Sequence, residues 1–387
     1  MKINFESEKK IMKYLRDNYL IIGIVIISFL ALWLRICELN FESGDYVIFL
    51  SPWFDYLKSH GGLRALATYK GDYNAPYVTI LALLTYLPFN KLHLIKMVSI
   101  IFDYSLAISS ACLVHYLVPK NKKEYSALTY AVILFLPEVF LNSALWAQCD
   151  AGYTTFIVLA LLFLLKEKYL KSFIFLGIAF SLKLQFIFIL PIFIVLYVSK
   201  TKFPMLYFFI IPLVNFILCI PAIIFGRPIS KIITVYFNQT KTYKNYLSLN
   251  ISNLYSVIDG PTKIFYGVAI ILTIAACTLM LGYVIYKKVK WNNEKILNLA
   301  LWFIVVVTFL LPGMHDRYLY VGEILSVILY IVYKKNLPLT ICLIVNALII
   351  YSIYLFRIND FNLSYLTIIY LVIIVYFTKN TINILSE

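Results

Sequence analysis

The chain has 387 residues, of which 62% are hydrophobic and only 14% are charged, and its mean hydropathy is +0.85. Because soluble domains carry roughly 25% charged residues, this composition excludes an ordinary soluble protein. Apolar runs of about 20 residues recur along the whole length and predict one integral membrane domain over residues 1–387. The net charge of +15 is explained by loop lysines and affinity for anionic lipid, so membrane lipid is an expected partner and nucleic acid is not.

The N-terminus predicts a retained first helix. A charged stretch from Lys9 to Arg16 precedes the apolar run from Leu20 to Leu34, with no small-residue cleavage site. The six cysteines are dispersed without the spacing of a metal site. We therefore expect neither a bound metal nor another cofactor.

Clusters of Lys and Arg between the apolar runs set the predicted topology. When all of these clusters are placed in the cytoplasm, the chain crosses the membrane about twelve times and both termini lie inside. The predicted spans are 20–37, 95–118, 125–142, 152–166, 172–183, 185–199, 204–226, 264–286, 296–312, 317–333, 337–356 and 363–378. Two long loops, 38–94 and 227–263, then lie on the extracytoplasmic face of the plasma membrane, where we expect the functional site.

Two segments of the first external loop are predicted to lie at the membrane interface. Residues 75–90 are apolar but too short for a full crossing, so we expect an interfacial or re-entrant helix. Residues 46–58 have helical spacing, with Phe49, Trp53 and Leu57 on one face. This second segment predicts a helix that lies on the membrane surface.

Two carboxylates of this loop are candidate site residues. Asp45 stands at the start of the 46–58 helix, where it either caps that helix or acts as a general base that takes a proton from an acceptor hydroxyl. Asp72 lies in a turn-rich segment and either holds the turn or binds a sugar hydroxyl. By contrast, Asp103 lies within the second span, where a carboxylate is expected to have a structural partner.

Further candidates lie on the same predicted side. Trp146, Gln148 and Asp150 combine an aromatic ring, an amide and an acid at a helix start. This combination suits sugar binding, or an ordinary aromatic belt with an aspartate that caps the next helix. The second external loop holds Asn250 and Asn253 among many amides and tyrosines, a composition that fits a carbohydrate-binding surface or a plain solvated loop.

Two basic segments are candidate phosphate sites. Lys183 lies at an elbow between two short predicted helices, where it either snorkels to the interface or faces an anionic ligand. The turn from Gly313 to Tyr318 holds His315, Asp316 and Arg317 between two apolar spans. Arg offers phosphate a charged, bidentate fork, and His can donate to a phosphate oxygen. The alternative is a turn that is merely salt-bridged between Asp316 and Arg317.

The ordered set of these segments, between about residues 20 and 330, resembles the GT-C superfamily of polytopic glycosyltransferases. It is similar to the dolichyl-phosphate-glucose-dependent glucosyltransferases of N-glycan assembly and to their bacterial relatives. The matching segments are Gly44-Asp45-Tyr46, Asp72 to Pro76, Trp146 to Asp150, Lys183 with Gln185 and Pro191, Leu247 to Leu254, and His315 to Arg317. The chain departs from the pattern at Ala75, where relatives often have a second proline, and at Asp316, where many have Glu.

The resemblance implies a GT-C-like, all-α bundle of about twelve transmembrane helices. It also implies an inverting transfer of a hexose from a polyprenyl-phosphate sugar to a cell-envelope glycan or glycolipid, usually without a metal. Asp45 matches the general base of the family, and the donor phosphate-binding residues are then His315, Arg317 and Lys183. The residues expected to bind the sugar or the acceptor are Asp72, Trp146, Gln148, Asp150, Asn250 and Asn253.

Two other functions would also use an external polar site. A flippase or other transporter of lipid-linked oligosaccharides is expected to show internal repeats and polar residues along a path across the bilayer. We find no repeat in the sequence, and the polar candidates gather on one predicted side. A polysaccharide polymerase or ligase would instead be distinguished by a diphosphate-linked glycan as its donor.

Overall fold

A computed structural model describes residues 5–200, 202–242, 245–258, 262–358 and 361–387. In these ranges the chain is all-α, apart from two strands of two residues each. The α-helices are α1 Phe5–Asp17, α2 Tyr19–Cys37, α3 Ser51–Ser59, α4 Ala75–Leu84, α5 Lys91–Leu117, α6 Lys122–Phe135, α7 Pro137–Phe140, α8 Asp150–Leu165, α9 Tyr169–Leu182, α10 Leu190–Lys200, α11 Ile210–Ile224, α12 Ile229–Thr242, α13 Thr262–Lys287, α14 Asn293–Leu310, α15 Tyr320–Tyr333, α16 Leu337–Phe356 and α17 Ser364–Ser386. Short π-helical turns occur at Tyr46–Leu50 and Leu141–Leu145, and 3-10 helices at Gly62–Ala67, Leu184–Ile189, Met205–Phe209, Leu254–Ser256 and Asp316–Leu319. Within the predicted loop 227–263, residues 243–244 and 259–261 lie outside the described residues.

Seven helices in the described ranges are long and apolar enough to cross a membrane, so the protein is an all-α, multi-pass membrane protein. They are Tyr19–Cys37, Lys91–Leu117, Met205–Ile224, Thr262–Lys287, Asn293–Leu310, Leu337–Phe356 and Ser364–Ser386. An eighth crossing arises if α6 and the helical segment Pro137–Leu145, bent by 53° relative to each other, form one span. The bend follows from Pro137, because the residue before a proline is disfavoured in the helical region, and Leu136 is extended here.

The four other predicted spans coincide with shorter helices. Residues 152–166, 172–183, 185–199 and 317–333 fall on α8, α9, the helical segment Leu184–Ser199 and α15. A helix of 14 residues is about 21 Å long, less than the hydrocarbon thickness of about 30 Å. The positions of these helices agree with the expectation, while the total of twelve crossings stays a prediction.

The predicted 46–58 helix is present as the π-helical turn Tyr46–Leu50 followed by α3. Its buried residues are Tyr46, Leu50, Phe54 and Leu57, whereas Phe49 is 40% exposed. The rings of Phe49 and Trp53 lie on one side of the helix, with centroids 5.8 Å apart. Leu57 is fully buried against protein, and the position of this helix at the membrane surface stays a prediction.

A buried ion pair ties the first spans together. Arg35 of α2 donates from Nε to Asp103 Oδ2 of α5 at 2.8 Å, and both side chains are fully buried. Arg35 also donates to the carbonyl oxygens of Ala31 and Leu134, while Ser143 donates to the same Asp103 oxygen at 2.5 Å. Asp103 thus has the structural partner that a carboxylate inside a span requires.

Two parallel strands bring distant loops together. Strand β1, Ser248–Leu249, pairs with β2, Met314–His315, so that Leu249 lies opposite His315. The amide of Gly313 extends the contact by donating to the carbonyl of Leu247 at 2.9 Å. Residues 247–249 are thereby fixed against the His315 turn.

Candidate active site

One large cavity collects polar side chains from six separate segments of the chain. Its volume is about 830 Å³. The charged and amide side chains in its wall are Asp45, Asp72, Gln148, Lys183, Gln185, Gln239, His315 and Arg317. Six of the ten residues expected from the sequence to form the site therefore line one cavity.

Asp45 does not cap the helix that follows it. The amide of Tyr46 donates to Ser43 Oγ at 3.1 Å, so Ser43 takes the capping role, and no cap hydrogen bond is formed by Asp45. Its Oδ2 atom instead accepts a hydrogen bond from Gln148 Nε2 at 2.8 Å and lies 3.0 Å from Arg317 Nη1. The Asp45 carboxylate is thus held inside the cavity wall, at a quarter of its full exposure.

Gln148 reaches Asp45 because the backbone turns sharply just before it. Ala147 has φ of +60°, a left-handed conformation that is uncommon for a residue with a side chain. The Gln148 amide donates to the Asn142 carbonyl at 2.9 Å and closes the turn. On its other side, Gln148 Oε1 accepts a hydrogen bond from Tyr73 Oη at 2.8 Å.

Lys183 is buried and paired. It is extended between α9 and the 3-10 helix Leu184–Ile189, and its Nζ atom lies 2.5 Å from Asp150 Oδ1. The other carboxylate oxygen of Asp150 accepts from Asn142 Nδ2 at 3.0 Å. Lys183 therefore lines the cavity as a cation held in place by Asp150, and does not snorkel away from it.

The His315 turn is organised around the buried carboxylate of Asp316. Asp316 Oδ1 lies 2.9 Å from His315 Nδ1 and 3.3 Å from Arg317 Nε, and Asp316 Oδ2 accepts from Tyr354 Oη at 2.5 Å. Burial favours the neutral form of Asp316, but the hydrogen bond of His315 and the charge of Arg317 outweigh it and lower the pKa to about 2. The salt bridge of Asp316 with Arg317, the alternative to a phosphate site, is present, and it still leaves one guanidinium nitrogen beside Asp45.

Four of the expected sugar-binding or acceptor-binding residues are not among the residues that line this cavity. Trp146 packs on the Tyr354 ring with centroids 4.7 Å apart, and Asn250 Nδ2 donates to Tyr354 Oη at 2.9 Å. Asn253 is fully buried and caps the turn at Tyr255, and Asp150 holds Lys183. The described cavity lining does not include Trp146, Asp150, Asn250 or Asn253, so their contact with a sugar or acceptor stays a prediction.

Two functional candidates were missed from the sequence. Tyr73 is part of the Asp72 to Pro76 segment but was not singled out, although its place beside Asp72 was a usable signal. Tyr354 lies inside an apolar helix, where nothing local marks it. Asp72 itself is exposed at the cavity rim, and its carbonyl accepts from Gln239 Nε2.

The remaining wall of the cavity is apolar and reaches the outer surface of the protein. It is formed by Phe180, Leu184, Ile187, Phe188, Ile233, Phe237, Tyr266 and Ile270 together with Phe49, Leu50 and Trp53. Ile233 and Phe237 of α12 are 63% and 67% exposed. The cavity thus joins a charged end to an open apolar groove.

Comparisons with known proteins assign no family: no family model matches the chain, and no curated protein matches it. In the described part of the chain, no three His, Cys, Asp or Glu side chains are grouped as ligands for a metal ion.

Proposed function

We propose that this protein is an inverting glycosyltransferase of the GT-C type. Its donor is a polyprenyl-phosphate-linked hexose, and its acceptor is a cell-envelope glycan or glycolipid. The observation that carries the proposal is the single cavity with a carboxylate, three cationic or potentially cationic side chains and an apolar groove. The charged or potentially charged side chains are Asp45, Lys183, His315 and Arg317, and all four line this cavity.

The chemistry of inversion needs two groups on opposite sides of the reacting carbon. The acceptor oxygen attacks the anomeric carbon, the bond from that carbon to the phosphate oxygen breaks, and polyprenyl phosphate leaves with the electron pair. Asp45 takes the proton of the acceptor hydroxyl. Arg317, His315 and Lys183 stabilise the charge that develops on the leaving phosphate.

The apolar groove suits the lipid part of such a donor. A polyprenyl chain is bulky and apolar, and it needs a surface that continues into the membrane. Ile233 and Phe237 provide an exposed apolar border next to the cavity. Burial of hydrocarbon there contributes roughly 25 cal/mol per Å² of apolar area.

The finer topology is part of the same proposal: about twelve crossings, interfacial helices in the first external loop, and a cavity on the non-cytoplasmic side. The helix directions support it. Helices α9 and α14 run from lysine-rich segments toward the cavity, while α8 and α15 run from the cavity toward lysine-rich segments. The positive-inside rule then places the cavity outside.

The test is direct transfer by purified protein. Wild-type protein and Asp45→Asn are incubated with a panel of polyprenyl-phosphate sugars, and hydrolysis or transfer is measured. We expect loss of at least about a hundredfold in the variant, with unchanged insertion and purification. Asp55→Asn is the matched control, because Asp55 is exposed on the next helix and forms its ion pair with Lys91, away from the cavity.

Three results would contradict the proposal. Full turnover by Asp45→Asn would remove Asp45 from the role of base. Transfer only from diphosphate-linked glycans would identify a polymerase or ligase instead. Movement of a lipid-linked oligosaccharide between leaflets without any change in its sugar content would identify a transporter.

A further inference from the structure

Gln148 bridges Asp45 to a tyrosine of a different segment. Tyr73 Oη donates to Gln148 Oε1 at 2.8 Å, and Gln148 Nε2 donates to Asp45 Oδ2 at 2.8 Å. All three side chains line the cavity. The chain of hydrogen bonds therefore runs along the wall and ends on the carboxylate.

The direction of this chain follows from donor and acceptor chemistry. An ionised carboxylate only accepts hydrogen bonds, so the NH₂ group of Gln148 must face Asp45 and its carbonyl must face Tyr73. A phenolic hydroxyl can both donate and accept. If Asp45 takes up a proton, the Gln148 amide can turn over, accept from Asp45 and donate to Tyr73.

The side chain of Tyr73 is held in place by its neighbours. Its ring packs edge-on against Trp53 and Tyr77, with centroids 5.3 and 5.0 Å away, and Lys183 Nζ lies 5.9 Å from its centre. Burial raises the pKa of Tyr73 well above its ordinary value, which keeps the hydroxyl protonated. The ring and the hydroxyl thus have separable roles, and Tyr73→Phe removes only the second.

The geometry also selects one carboxylate oxygen for chemistry. Gln148 and Arg317 both contact Oδ2 of Asp45. Within the described residues, Oδ1 has no hydrogen-bond partner. The oxygen left for an acceptor hydroxyl is then Oδ1, in an orientation that Gln148 and Arg317 set from the opposite oxygen.

We propose that Tyr73 and Gln148 are positioning residues that hold Asp45 in one orientation before and after it takes up the acceptor proton. This inference rests on the proposed role of Asp45 as the base. Neither residue needs to touch the reacting atoms. Tyr73 and Gln148 affect the reaction only by orienting the Asp45 carboxylate.

The kinetic test is a double-mutant cycle with Tyr73→Phe and Gln148→Met. We expect Tyr73→Phe to lower kcat by about five- to tenfold, the effect of one neutral hydrogen bond. Gln148→Met should lower kcat by at least about tenfold, because it also removes the hydrogen bond to the charged carboxylate. The donor KM should be unchanged in both. The double variant should lose no more than Gln148→Met alone, because both act through one chain. Additive losses, or an effect on donor KM alone, would overturn the inference.

A matched control separates the hydroxyl effect from general packing. Tyr77 packs against Tyr73 but does not line the cavity, so Tyr77→Phe is expected to keep kcat within about twofold. A loss in Tyr77→Phe equal to that in Tyr73→Phe would mean that the aromatic packing, and not the hydrogen-bond chain, is responsible.

A second measurement does not depend on glycosyl transfer. Labelling by a water-soluble carbodiimide, followed by mass spectrometry, reports how firmly each carboxylate is held. We expect Tyr73→Phe and Gln148→Met to speed labelling of Asp45 at least threefold, while Asp55 serves as an internal reference. Faster labelling in a protein that transfers no sugar would contradict the proposed function and keep the positioning role. Unchanged labelling, with or without transfer, would overturn the positioning role.

Discussion

Asp45 and Arg317 form an ion pair, with Oδ2 and Nη1 3.0 Å apart, and both side chains are largely enclosed. The two groups come from the 38–94 segment and from the late His315 turn. In the proposed reaction Asp45 acts on the acceptor, whereas Arg317 acts on the donor phosphate. A phosphate that enters the cavity competes with Asp45 for the guanidinium. Binding of the donor and exposure of the base are therefore coupled through Arg317.

Loss of this guanidinium should weaken binding of a lipid phosphate and spare binding of the lipid. We expect Arg317→Ala to weaken binding of farnesyl phosphate at least about tenfold, since hydrogen bonds to charged groups contribute about 1.5–3 kcal/mol. Binding of farnesol should change less than twofold. Arg317→Lys keeps the charge but loses the fork, and an intermediate affinity is expected.

The measurement is isothermal titration or a competition assay with protein in detergent. Farnesol is the control because it carries the same hydrocarbon without the anion. Equal losses of affinity for farnesyl phosphate and farnesol would show that Arg317 supports the fold of the groove and does not contact phosphate.

The charge of Asp316 should stabilise the protein at neutral pH. Its pKa is lowered to about 2 from an ordinary value of 3.8, so the unfolded state binds the proton more readily than the folded state. The stabilising contribution is present above about pH 4 and is lost as the pH falls through about 2. A pKa difference of this size contributes about 2 kcal/mol to the free energy of unfolding.

Thermal unfolding in detergent between pH 2.5 and pH 7 measures this contribution. The Tm of the wild type should fall more steeply below pH 4 than the Tm of Asp316→Asn. Tyr354→Phe removes one donor to Asp316 and should move the steep region to higher pH. Parallel curves for all three proteins would mean that other carboxylates dominate acid unfolding.

Local sequence patterns predicted much of this architecture. Lysine clusters and apolar runs identified helices in all twelve expected ranges, because hydrophobicity and the positive-inside rule act on each segment separately. The same reasoning grouped Asp45 with His315 and Arg317 on one side, and their shared cavity agrees with that grouping. The contacts of each polar residue across the site could not be predicted in this way, because they depend on distant segments of the chain.

Contacts between distant segments explain the remaining differences. Lys183 pairs with Asp150 and does not reach an open interface, and Asn250 and Trp146 both contact Tyr354. No local sequence pattern predicts these contacts, since the two partners are separated in the chain by a whole helix or more.

The buried Arg35–Asp103 pair should be far more important for stability than an exposed pair. Removing one partner leaves an unpaired charge in a fully buried site, and we expect Arg35→Ala to destabilise the protein by about 3–5 kcal/mol. The exposed pair of Lys91 and Asp55, at 2.5 Å, is the control, and Lys91→Ala should cost less than about 1 kcal/mol. Denaturant unfolding followed by tryptophan fluorescence compares the two variants. Similar losses would mean that water or another group satisfies Asp103.

Close approach of α9 and α11 depends on Gly177. A Cβ atom added at Gly177 would lie 2.6 Å from Val214 Cβ and 3.1 Å from the carbonyl oxygen of Ile211, so the two helices must separate to accept a methyl group. Small residues allow such close packing of helices in membranes.

We therefore expect Gly177→Ala to lower stability by about 1–3 kcal/mol, as overpacking does. Gly282→Ala is the matched control: Gly282 is also helical, and no atom lies within 4 Å of its added Cβ, so alanine should be neutral or slightly stabilising there. Lys183 directly follows the last residue of α9. Displacement of α9 in Gly177→Ala should therefore move Lys183 and lower transfer activity. Unchanged stability of Gly177→Ala in thermal unfolding would show that α9 and α11 can separate without cost, and that this contact does not hold Lys183 in place.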